Sequence, residues 1–132
     1  MKQVLDLLPD TLAVCRLASD AEYPEWVQAG SLTALVRTTD ELSVICNEKY
    51  VPASVMSEGG WRCLKVRGPL EFSLVGVLAS LVNPLASAGV SIFAVSTFET
   101  DYIMVKENQL KAAVQALEGV GFMVRNDASL LT

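Results

Sequence analysis

In the second half of the chain the apolar positions change period from segment to segment. WRCLKVRG at 61–68 is a short β-rich run, and Gly68-Pro69 ends it as a turn signal. Leu74, Leu78, Leu81 and Leu85, with Val75, Val77 and Val82 beside them, follow helical spacing and predict a helix with one broad apolar face. Ser73 is its expected N-cap, and Gly89 sits where a left-handed residue would end it. Pro84 is expected to remove one intrahelical bond and kink the helix. VSIFAVSTF at 90–98 predicts a strand with little alternation, so both of its faces are expected to be covered. DYIMVKE at 101–107 returns antiparallel after a short turn. NQLKAAVQALEGVG at 108–121 places Leu110, Ala113, Val114 and Leu117 on one helical face, with Asn108 as cap and Gly119 or Gly121 as stop. FMVR at 122–125 can be a last strand. The order is βαββαβ, which folds as an antiparallel sheet with two helices on one face.

The first half repeats this order in reduced form. TLAVCRL at 11–17 reads as a strand, and SLTALVRTT at 31–39 with ELSVICN at 41–47 reads as a hairpin. VRTTDELSVIC at 36–46 lies over VSTFETDYIMV at 95–105 without a gap. The two share the valine, a threonine, an acid at the turn and the apolar return strand, as expected of an internal repeat. Only EYPEWVQAG at 22–30 can be helical between the first strands, and Pro24 limits it; Pro52 and the glycines confine KYVPASVMSEGG at 49–60. The expected architecture is α+β, with a degenerate unit at 1–60 and a complete one at 61–132.

At 132 residues the chain fits one compact domain or two very small ones, and its 52% apolar content calls for a packed core. One segment, 72–98, carries no charge for 27 residues and is long enough to span a bilayer. Ser80, Asn83-Pro84, Ser87 and Gly89 interrupt it, so it reads as a buried helix followed by a buried strand. Residues 1–8 lack the apolar core and cleavage site of a signal peptide. Net charge is −5 with no Lys/Arg cluster, which argues against a nucleic-acid partner. Histidine is absent, which removes the commonest general base and the usual zinc ligand. Cys15, Cys46 and Cys63 are widely spaced, odd in number and set in apolar contexts, so buried inert thiols in a reducing cytoplasm are expected.

No nucleophile elbow, phosphate-binding glycine loop or metal-ligand spacing appears, and the acids are scattered. No catalytic residue, metal or cofactor is therefore assigned. Two places stand out. At RGPLEFSLVG, 67–76, a strand passes into a helix start whose free amides suit a carboxylate. Gly76 inside the first turns costs about 1 kcal/mol against alanine, which implies close approach by a ligand or by another backbone. At STFETDY, 96–102, hydroxyls and acids interrupt two apolar runs. They are ordinary turn residues, or a carboxylate and hydroxyl set for an ammonium or guanidinium group.

The stretch from Leu64 to Leu117, with "GPLEFSLVGVLASL" and "STFETDYIMV" together, resembles the ACT domain of small bacterial tandem-ACT proteins. It is also similar to the ACT units of aspartate kinases and to the ACT-repeat arginine sensors of animals. The resemblance implies two ferredoxin-like βαββαβ ACT units, the first degenerate, and non-catalytic binding of a free amino acid at an interface between ACT units. It implies ligand contacts from Ser96, Thr97, Phe98 and Asp101 on the hairpin and from Glu71, Phe72, Ser73, Leu74 and Gly76 at the helix start. Leu74 stands near where the arginine sensors carry an acid. A homodimer and a regulated partner enzyme are the expected assemblies, with no nucleic acid and no membrane. The competing reading is a ligand-free interaction module that regulates a partner through the same surface.

Overall fold

The structure, a computed structural model, describes residues 3–68 and 76–126. They form seven strands, β1 (Val4–Leu17), β2 (Ala34–Arg37), β3 (Leu42–Asn47), β4 (Met56–Val66), β5 (Ile92–Ser96), β6 (Asp101–Lys106) and β7 (Met123–Asn126), and two helices, α1 (Val77–Ser87) and α2 (Leu110–Gly119). The chain divides into unit 1, residues 1–9 with 62–132, and unit 2, residues 10–61. A cut after residue 60 would leave residues 1–9 with the other half. They group with unit 1 because Val4–Leu7 of β1 pairs parallel with β7, Val4 opposite Met123.

In unit 1 the strand order is β7-β1-β4-β6-β5. Alternate residues on three strands, Leu5 and Leu7, Leu64 and Val66, Ile103 and Val105, make one apolar face, as the two-residue period of a strand requires. Leu81 and Leu85 of α1 and Ala113 and Leu117 of α2 pack on it, so both helices lie on one face. The fold is α+β, with β5 and β6 antiparallel from Ile92–Val105 to Ser96–Asp101.

Several local expectations are corrected. Strand β1 begins at Val4 and runs through Pro9, so it is longer than 11–17. Strand β4 begins at Met56; Gly60, at φ +76°, takes a left-handed kink inside it as in glycine bulges and does not stop the run. Strand β5 ends its sheet order and none of its residues is buried, so its two faces are not both covered. Residues 22–30 contain one isolated turn, Val27 N–H to Pro24 O at 3.3 Å, and no helix. Asn108 lies in a 3₁₀ turn, Glu107–Gln109, and does not cap α2. Gln109 instead accepts from Ser91 N–H and donates to Gly89 O, tying the end of α1 to the approach of β5. Gly89, at φ +75°, does end α1 in the left-handed region. Ser73 and Leu74 lie outside the described residues.

Unit 2 is built on a hairpin, β2 antiparallel to β3, and on the pairing of β3 with Leu12–Leu17 of β1. Ala13, Cys15, Val27, Leu42, Val44 and Cys46 form its core. The cysteines are free thiols and all buried. Burial pushes the Cys15 and Cys63 thiols up to about 12 and raises Cys46 as well, which makes them poor nucleophiles at neutral pH.

Asp10 pins the long segment between β1 and β2. Its Oδ2 accepts from the backbone N–H of Ser31 at 2.9 Å and from the Ser31 hydroxyl at 2.8 Å. These bonds favour the carboxylate and hold its pKa below the ordinary 3.8. A depressed folded pKa contributes stability above the unfolded value and loses it as pH falls through the folded one. Asp10→Ala is therefore expected to destabilise unit 2 by about 1 kcal/mol at neutral pH, a modest figure because the group is partly open to water. In urea unfolding followed by tryptophan fluorescence, the gap between the two proteins should close below pH 3.8.

Candidate functional site

The site is built on the β5–β6 hairpin of unit 1. The tip, 97–100, is closed by Thr97 N–H donating to Thr100 O at 2.8 Å. The Thr97 hydroxyl bonds the same carbonyl at 3.1 Å and accepts from Thr100 N–H at 3.3 Å. Thr97 thus staples its own turn, the ordinary role of a turn threonine. Phe98 projects from the tip, 79% exposed.

Below the tip, Ser96 faces Asp101 on one rung of the ladder, and the Ser96 hydroxyl donates to Asp101 Oδ1 at 2.7 Å. A half-buried carboxylate with one oxygen held by a hydroxyl is oriented without being neutralised. It can accept charge-assisted bonds from an ammonium or guanidinium group.

Thr100, which the sequence reading passed over, fixes where this hairpin sits. It is 4% exposed, and its hydroxyl donates to Val66 O at 2.7 Å. Val66 is the last residue of β4, so the tip is tied to the strand end from which the chain leaves for α1. The next residue, Arg67, donates its backbone N–H to Val4 O and grips Asp6 through both carboxylate oxygens. Nothing in the composition of STFETDY separates Thr97 from Thr100; only the tertiary position of Val66 does.

Gly76 is the N-cap of α1 and not an interior residue. Its φ of +83° lies in the left-handed region, and a Cβ placed there would meet no described residue within 4 Å. The backbone conformation is by itself a reason for glycine here, separate from any close approach. Glu71, Phe72, Ser73 and Leu74 lie outside the described residues. The structure thus brings Ser96, Thr97, Phe98 and Asp101 together, with Val66 beside them. Among the described residues no group of three or more acids or cysteines could hold a metal ion, and no helix is long and apolar enough to cross a membrane.

Antiparallel strands carrying two helices on one face form the ferredoxin-like architecture of ACT modules. A family model described as an ACT domain matches residues 56–119, and a second, described as an N-terminal domain, matches residues 10–54. A crystal structure of an Agobacterium tumefaciens protein is 31% identical, covers 96% of this chain and 95% of that one, and superposes with a TM-score of 0.90. The human cytosolic arginine sensor for mTORC1 subunit 1 is 34% identical over 59 residues, 44% of this chain and 18% of that protein. The match thus spans less than a fifth of that relative. The regulatory subunit of aspartate kinase from Thermus thermophilus shares the fold, with a TM-score of 0.62 at 12% identity over 92% of this chain and 99% of that one. Residues 56–119, just under half of this chain, thus match an ACT domain, and the fold is shared with an aspartate kinase regulatory subunit.

Proposed function

We propose that the protein is a non-catalytic regulator that senses a free amino acid. Asp101 meets the ligand's ammonium or basic side chain, Ser96 orients that carboxylate, and Thr97 and Phe98 border the ligand. The segment of Glu71, Phe72, Ser73, Leu74 and Gly76 takes its carboxylate end. A second copy of the chain covers the ligand, as ACT units act in pairs, and the homodimer acts on a partner enzyme in the cytoplasm. The observation that carries this reading is the Ser96–Asp101 rung, an oriented carboxylate beside an exposed aromatic at a tip fixed to β4 by Thr100. The similarity to an arginine sensor supports the ligand class.

Isothermal titration calorimetry against the twenty amino acids is expected to find a binder below millimolar. Asp101→Ala should weaken it at least tenfold, about 1.4 kcal/mol. If no amino acid binds, the sensing reading is wrong; if Asp101→Ala binds as tightly as the native protein, the site lies elsewhere.

A further inference from the structure

One hairpin turn occurs twice in this chain. Residues 36–46 and 95–105 align without a gap. In each, the threonine opening the turn donates its backbone N–H to the carbonyl three residues on, Thr38 to Glu41 and Thr97 to Thr100, both at 2.8 Å. In each, its hydroxyl bonds that same carbonyl, at 3.3 and 3.1 Å. The rungs beneath the two turns are therefore equivalent: Arg37 opposite Leu42 in unit 2, Ser96 opposite Asp101 in unit 1.

Their chemistry is reversed. Unit 1 presents a carboxylate on its rung. In unit 2 the corresponding Leu42 is buried in the core, and the rung carries a cation. The Arg37 guanidinium donates to Ser19 O at 2.5 Å and to Ala21 O at 2.6 Å. Both carbonyls belong to the segment that follows β1, as the segment after β4 follows the strand end held by Thr100. A guanidinium has five donors in a fixed fork and no acceptor, so two convergent carbonyls are a natural seat for it. That seat is filled from within the chain, and the positive charge beside it disfavours a second cation.

We infer that Arg37 is a built-in occupant of unit 2: its guanidinium fills in cis the position at which unit 1 offers its site, so the chain takes one free ligand and not two. The ligand count rests on the function proposed above. The seating of Arg37 does not.

The test uses the full chain and amide hydrogen exchange over residues 18–33. Arg37→Ala should speed exchange there about tenfold, the net loss of two solvent-exposed hydrogen bonds. Millimolar methylguanidinium should restore protection in this variant, and methylammonium at the same concentration should not. Arg37→Lys, which keeps the charge without the fork, should fall between the two and serves if the alanine variant does not fold. Unchanged exchange in Arg37→Ala, no rescue, or equal rescue by methylammonium would overturn the proposal. Repeating the rescue in Arg37→Ala/Asp101→Ala separates the two readings, because the seat in unit 2 should still respond when the unit 1 site is removed. An amino acid that titrates at two per chain in the native protein would overturn the single-ligand count.

Discussion

Leu85→Ala is expected to cost about 3 kcal/mol and to lower the melting temperature by about 10 °C. Leu85 is fully buried against the apolar face of unit 1, so truncation loses its transfer free energy and leaves a cavity. Leu81 and Leu85 are the fully buried residues of α1, with Val77, Leu78 and Val82 partly buried beside them; Gly76 offers no side-chain cap and Pro84 provides no N–H to the ladder. A helix this short gains most of its stability from packing. Hydrogen exchange in α1 should therefore rise more steeply than in α2. The control is Leu35→Ala on β2, where a partly exposed leucine should change stability by less than about 0.5 kcal/mol. Equal effects at the two positions would contradict the packing described for unit 1.

Thr100→Val is the second large effect, about 2 kcal/mol. Valine keeps the shape and removes the hydroxyl, so Val66 O loses the donor it has in the native protein. Thr100→Ser keeps the bond and should cost less than about 1 kcal/mol for the missing methyl. The ranking valine worse than serine identifies the hydrogen bond as the cause; the reverse ranking would assign the position to methyl packing. The same pair reports on sensing. Valine should weaken amino-acid binding because it unfastens the tip carrying Phe98 from β4, whereas serine should leave affinity close to native.

The sequence was most legible where contacts are local. The apolar runs on either side of each polar turn located both hairpins, and the turn bonds of Thr38 and Thr97 give the ungapped overlay of 36–46 on 95–105 a physical basis. The apolar spacing of Leu110, Ala113 and Leu117 likewise marked α2 and its buried side. What escaped notice depends on distant partners. Strand β5 looked doubly covered because its residues are apolar, yet none of them is buried. Gly76 has a reason for being glycine, its left-handed φ, that is invisible in composition. Within the candidate site, Ser96 and Asp101 were both named from the sequence, but their pairing comes from the hairpin register of the structure. Thr100 does not, because its importance comes from a carbonyl 34 positions away.

The parallel pairing of Val4–Leu7 with β7 has a consequence for how the chain is made. Among the described strands, the earliest in the chain has for one of its neighbours the latest. Unit 2, residues 10–61, has all its residues available before α1 is synthesised. Unit 1 must wait for release of β7 while Leu5 and Leu7 remain without Phe122. Closure over so long a separation raises the contact order and slows the final folding step. The early strand is thus a standing target for chaperones or for the same strand of a neighbouring nascent chain, a hazard set by strand order alone.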